Sequence, residues 1–249
     1  MPRGYADFGL NPGNYGQFSG DNAELAVRLG SPDVFERRGR VVWFDDMSKG
    51  LYTYFARLQG AGTINYYMQY GYTNGLVHRF LPPLVAGQYI YLTRSISLLN
   101  ISKVGMEILI RVEKLPGKLA TVPYINFSYM QGVNYYRFLC KLDPNNNDVI
   151  IADGAVYPGV DTIVYHSPYI FYVDTSGSQF TYLKMVVDLT TLHYDRLVFN
   201  EHGVNLSAYT PAIVPDAEAP KIQAIFGVLA NADAQFVDFC SPLVTIDEP

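Results

Sequence analysis

KVGMEILIRVE (103–113) decides the fold. Its alternate positions differ in kind. Val104, Met106, Ile108, Ile110 and Val112 form one set, and Lys103, Glu107, Leu109, Arg111 and Glu113 form the other. Successive side chains of an extended backbone point to opposite faces, so the first set marks a strand with a core face. The second set, with Arg111 between Glu107 and Glu113, reads as a solvated charge ladder. The alternation recurs at 183–189, where Leu183, Met185 and Val187 are expected to point inward, with Lys184 and Asp188 outward.

The rest of the chain repeats this signal. Runs rich in β-branched and aromatic residues stand at 41–44, 63–70, 89–97, 123–131, 134–143, 148–153, 162–167, 179–189, 193–200, 221–231 and 236–246. Gly, Pro, Asn and Asp turns separate them. The pattern predicts an all-β, two-sheet antiparallel sandwich over 41–249, with Trp43 in its core. A chain of 249 residues is ordinary for one such domain and long enough to bury a large core without cross-links. Cys140 and Cys240 lie in strand-like runs. They read as buried free thiols, with one bridge between distant strands as the alternative.

Residues 1–40 differ. The stretch before Asp21 is rich in Gly, Asn, Pro and Tyr and has no periodicity, so it reads as an extended arm. A short helix is expected at 22–29, capped by Asp21 and closed by Gly30. Disordered tails are usually poor in aromatics. Tyr5, Phe8, Tyr15 and Phe18 therefore predict an arm laid on another surface. Arg37, Arg38 and Arg40 read either as a solvated turn or as an anchor to a neighbouring subunit.

Charged residues make up 16% of the chain, against roughly a quarter in an ordinary soluble domain, and there are 21 tyrosines. A charge-poor, Tyr-rich surface suits interfaces. The net charge is −5 and no basic stripe exists, which argues against nucleic acid as a partner. No apolar run is long enough to cross a bilayer. The N-terminus lacks the apolar stretch of a secretory signal, so synthesis in the cytoplasm is expected, with release to a particle surface or the exterior by a route such as lysis.

Three segments carry a resemblance to a known superfamily. WFDDMSKGL (43–51) resembles the opening strand and turn of concanavalin A-like lectin/glucanase jelly rolls. The hairpin-rich stretch 182–209 resembles the middle of the same sandwiches, and FVDFCSPLVTI (236–246) their closing strand. The resemblance implies a jelly roll. Lectins, glycoside hydrolases, lyases and phage structural proteins, decoration subunits among them, share that architecture, so it leaves function to the site.

The Glu-x-Asp-x-Glu pattern of glycosidases on this fold is absent. Glu107 and Glu113 share a strand face but stand roughly 20 Å apart at strand rise, whereas a glycosidase pair needs about 5–9.5 Å. No H-E-x-x-H or G-x-S-x-G motif occurs, and a non-enzyme is expected. Asp143, Asn145 and Asn147 have the spacing that opens a calcium loop. The Gly and Glu that should complete the loop are missing, so a Pro-Asn turn is expected, with calcium the weak alternative. Asn65, Tyr67 and Gln69 share one strand face. Tyr124, Asn126 and Ser128 share another, with Tyr135 and Arg137 as neighbours. This composition suits a glycan groove or a face packed on another subunit. The expected function is a non-enzymatic structural and binding subunit of a large homo-oligomeric assembly, at a phage or virus-like particle surface. The arm would dock it to sister subunits or to a capsid or tail protein. A lectin-like glycan-binding module is the alternative, and a glycoside hydrolase or lyase comes after it.

Overall fold

A computed structural model describes residues 40–45, 54–59, 61–68, 76–82, 85–96, 102–113, 118–154, 159–166, 180–200, 202–215, 222–231, 233 and 235–248. The arm and the helix expected at 22–29 lie outside them. The described residues form strands β1 (Arg40–Phe44), β2 (Phe55–Leu58), β3 (Thr63–Met68), β4 (Leu76–Leu81), β5 (Tyr89–Ile96), β6 (Lys103–Val112), β7 (Val122–Gln131) and β8 (Asn134–Asp143). β9 (Asp148–Asp153), β10 (Val160–His166), β11 (Thr181–Asp188), β12 (His193–Phe199), β13 (His202–Asn205), β14 (Ala212–Pro215), β15 (Ile222–Leu229) and β16 (Val237–Ile246) complete them.

Two antiparallel sheets result. Sheet A runs β13-β12-β11-β6-β16-β4-β3, with β1 also on β16, and sheet B runs β10-β9-β8-β7-β15-β5-β2, with β14 also on β8. The long strand β16 serves two neighbours because its ladder with β6 shifts register between Cys240 and Leu243. Pro242 has no N–H to give to a ladder and sits inside that shift. The half before it pairs β4 and the half after it pairs β1.

The core lies between the sheets, as the alternation in β6 requires. Val104, Met106, Ile108 and Ile110 are at most 1% exposed and pack with Leu183, Met185 and Val187 of β11. Sheet B meets them with Ile125, Phe127, Phe138, Cys140 and Phe226. Trp43 packs against this cluster, edge-on to Tyr54 at 5.8 Å. Cys140 and Cys240 are free and buried, Cys140 in the core between the sheets and Cys240 in a separate cluster with Val77, Leu109, Phe180 and Tyr182. Burial pushes the Cys140 thiol far above its ordinary value.

One polar group crosses this core. The β8–β9 ladder begins at Cys140↔Ile151, so Leu139 and Ala152 stand just beyond it. Tyr194 of β12 is fully buried, and its hydroxyl fills that gap. It accepts the Leu139 N–H at 2.9 Å and donates to the Ala152 carbonyl at 2.9 Å. Tyr194→Phe strands a buried donor and a buried acceptor. It is expected to cost about 2 kcal/mol in chemical denaturation, with the sandwich retained. A loss below about 0.5 kcal/mol would mean that water satisfies both groups.

Candidate functional site

The register of sheet B sets its outer face in rows. Arg57↔Tyr91, Tyr91↔Gly227, Gly227↔Tyr124 and Tyr124↔Lys141 are direct partners across five strands. A single line therefore crosses β2, β5, β15, β7 and β8. Four inter-strand steps make it roughly 19 Å long. The glycine at its centre has a packing reason. A Cβ on Gly227 would stand 2.6 Å from Tyr91 Cβ and 2.9 Å from Tyr124 Cζ, so only glycine lets both tyrosines close over β15.

More aromatic surface flanks this line. Tyr89 stacks on Tyr91, centroids 5.5 Å apart and planes at 22°. Arg57 is exposed, points its Nη1 at the Tyr91 hydroxyl (3.4 Å) and lies 5.9 Å from the Tyr89 ring centre. The next row holds Thr93, Ile225, Asn126 and Leu139. Asn126 is 3% exposed. Its Nδ2 donates to Ser128 Oγ at 3.1 Å, and its Oδ1 has no hydrogen-bond partner. A buried amide oxygen without a donor is costly, about 1–3 kcal/mol, which makes it an unspent acceptor in the floor of this face. In the third row Gln223, Ser128 and Arg137 align, and the Tyr135 hydroxyl reaches Gln223 Oε1 at 3.5 Å.

The residues expected in a glycan face thus divide. Tyr124, Asn126, Tyr135 and Arg137 come together on sheet B, through the pairing of β7 with β8. Asn65 and Tyr67 stand on β3, an edge strand of sheet A, and Gln69 lies outside the described residues. Of the arm residues, Arg40 opens β1, and Tyr5, Phe8, Tyr15, Phe18, Arg37 and Arg38 lie outside the description. Reading single runs missed Arg57 and the Tyr89–Tyr91 pair. Tyr-x-Tyr in YIYLTRSIS (89–97) carried the signal for the pair, since i and i+2 share a strand face.

Asp143 and Asn145 work as turn residues. The Asp143 carboxylate accepts the Asn145 N–H (2.9 Å) and the Asn146 amide (2.8 Å). The Asn145 side chain clamps both backbone groups of Ala120, at 2.8 and 3.0 Å. Asn147 sits at φ 58°, a conformation that Asn tolerates in turns. Among the described residues no group of three or more His, Cys, Asp or Glu could hold a metal ion.

The outer face of sheet A overturns one expectation. Glu107, Arg111 and Lys184 point away from the core, but they are not a solvated ladder: they are 2%, 3% and 0% exposed. Alternation tells which side of the sheet a residue takes, not whether that side meets water. Lys184 stands directly opposite Glu107, 3.2 Å from it, and is also 2.8 Å from Glu248. Glu248 in turn binds Arg196 at 2.7 Å, and the Tyr182 hydroxyl donates to Glu107 at 2.8 Å. Gly105 makes room, because a Cβ there would overlap Thr245 Oγ1 and the Glu248 carboxylate. Beside this group, Asp238 accepts two bonds from Arg79, at 2.8 and 3.0 Å, and one from Arg111. Phe236 lies 3.9 Å beneath the Arg79 guanidinium. Each of these carboxylates is held by cations in a matched network. Glu113, just past the end of β6, is partly exposed, and desolvation raises its carboxyl above the ordinary value.

No protein family matches the chain, and no curated protein matches it. Solved structures do. A carbohydrate esterase from the Shiga toxin-encoding bacteriophage phi24B is 11% identical with a TM-score of 0.54, over 84% of this chain and 100% of that one. An alginate lyase from a Chlorella virus is 8% identical with a TM-score of 0.53, over 83% and 100%. At such identities the likeness shows the fold alone, a jelly-roll β-sandwich of two antiparallel sheets.

Proposed function

We propose that the chain is a non-catalytic, lectin-like module that binds glycan on the outer face of sheet B. It would serve as a subunit of a large assembly of the phage- or virus-particle-surface type. One observation carries the binding half: the half-buried Tyr89 and Tyr91 stack on each other beside the exposed Arg57 on the outer face of sheet B. Tyrosine rings offer a flat apolar surface to the C–H face of a sugar, and amide and hydroxyl groups answer its hydroxyls. Viral proteins that act on carbohydrate share this fold, which supports the reading at the level of architecture.

The assembly half rests on the exposed apolar residues Phe55, Val133, Val160 and Ile163, each between 57% and 73% exposed, which suit contact with sister subunits. The binding half is tested by calorimetric titration with a panel of neutral and uronate oligosaccharides. Sedimentation of the full chain reads the assembly half. At least one oligosaccharide is expected to bind, and Tyr91→Ala to weaken it tenfold or more, about 1.4 kcal/mol. Silence across the panel, or full affinity in the variant, would remove sheet B as the site.

A further inference from the structure

We propose that two copies of this chain join edge to edge through β2, their B sheets continuing as one sheet across a two-fold axis at Ala56. The proposal rests on the assembly half of the reading above and names its contact. Among the described residues, β2 and β10 close sheet B, and β3 and β13 close sheet A. An open edge offers unpaired N–H and C=O groups to another strand, and proteins guard such edges with bulges, charges and polar side chains. Three of the four edges carry a guard. The ladder of β10 shifts register between Ile163 and Tyr165, and Asp161 stands exposed on it beside Val160 and Ile163. The exposed residues of β13 are His202, Gly203 and Asn205, and those described on β3 are Thr63 and Asn65. β2 keeps an unbroken register with β5, and it carries Phe55 at 72% and Leu58 at 46% exposure.

The backbone of β2 is set for such a contact. Gln59 donates its N–H to the Tyr89 carbonyl at 3.1 Å, and hydrogen-bonded pairs alternate along an antiparallel ladder. Phe55 and Arg57 therefore bond to β5, while Ala56 and Leu58 turn their backbone groups away from the sheet. A two-fold axis normal to the sheet reverses strand direction and keeps the outer face outward. With the axis at Ala56, the two Ala56 residues face each other, Leu58 faces Tyr54 of the second copy, and Arg57 faces its Phe55. Phe55 and Arg57 share the outer face, so each guanidinium lies over an exposed phenyl ring, a cation–π contact. A register centred on Arg57 would set the two guanidiniums against each other. One centred on Phe55 would leave both without that ring. The strand is complementary to itself in one register, which is why a second copy is the partner assigned to it.

Sedimentation of the full chain over a concentration series tests the idea. The native chain is expected to associate as concentration rises. Phe55→Lys replaces a largely exposed side chain, so the variant keeps the fold, and it sets an ammonium against Arg57 of the second copy. Association should weaken by about tenfold or more. The double variant Phe55→Lys/Arg57→Glu places opposite charges across the axis and should recover most of that loss. The registers centred on Phe55 or on Arg57 would instead bring like charges together in the double variant. Unchanged association in Phe55→Lys, or no recovery in the double variant, would overturn the β2 contact and leave assembly to another surface. A chain that stays monomeric at every concentration would overturn both.

Discussion

Lys184→Met is expected to lose about 3–5 kcal/mol of folding stability, the largest effect of any single substitution considered for this chain. Lys184 is fully buried and holds two carboxylates, Glu107 at 3.2 Å and Glu248 at 2.8 Å. The ammonium and the carboxylates have all given up water, and their mutual attraction is what offsets that cost. Methionine matches the stem of the lysine and deletes only the charge, so the loss reads the electrostatics rather than a cavity. Arg196 and Thr245 still hold Glu248, and Tyr182 still donates to Glu107. Glu107 loses more, because Lys184 is its directly opposite partner in the ladder. The double variant Lys184→Met/Glu107→Gln should therefore recover part of the loss, since glutamine accepts the Tyr182 hydroxyl without carrying charge. A coupling of about 1–3 kcal/mol between the two sites is expected in denaturant titration. A single variant within about 1 kcal/mol of the native protein would mean that water reaches the cluster and that the pairs are worth no more than surface ones.

That cluster also marks the limit of what the sequence discloses. Period-2 alternation placed Val104 to Ile110 in the core and gave the sandwich. The same rule put Glu107 and Lys184 outward, correctly, and then failed on their burial, because their partners come from strands that share no local pattern with β6. The short strand β4 was missed for a related reason. LVHRFL (76–81) interrupts its apolar residues with His78 and Arg79, and nothing nearby in the sequence pairs with that arginine. Its Arg79 finds Asp238 at a separation of 159 residues. β2, β13 and β14, at four residues each, are too short for alternation to show. The sheet B row follows the same logic. Its tyrosines are visible in single strands, but Arg57, Tyr91, Gly227, Tyr124 and Lys141 become one line only when the registers of five strands are known. Gly227 in particular looks like a weak point in a strand until the two rings above it are placed.

The stability of the protein is expected to fall by about 3 kcal/mol more between pH 7 and pH 4 than that of its His78→Phe variant. His78 of β4 is 0% exposed, and its ring lies edge-on to Tyr54 at 5.5 Å. Burial pulls its pKa from 6.5 down to about 4, with Asp45 opposing the shift. Above pH 6.5 the imidazole is neutral in both the folded and the unfolded chain and costs nothing. As pH falls through 6.5 the unfolded chain takes up a proton that the folded chain refuses, so unfolding is favoured. The penalty grows until about pH 4, where the folded histidine also protonates, and it stays constant below. Carboxylates titrate near the lower end of this window. All of them are present in both proteins, so the difference between the two stability curves isolates His78. Phenylalanine fills the same space beside Tyr54 and has no proton to take up, so its curve should lie flatter from pH 6.5 downward. Parallel curves would mean that His78 is protonated in the folded state near its ordinary pKa, with Asp45 outweighing the burial.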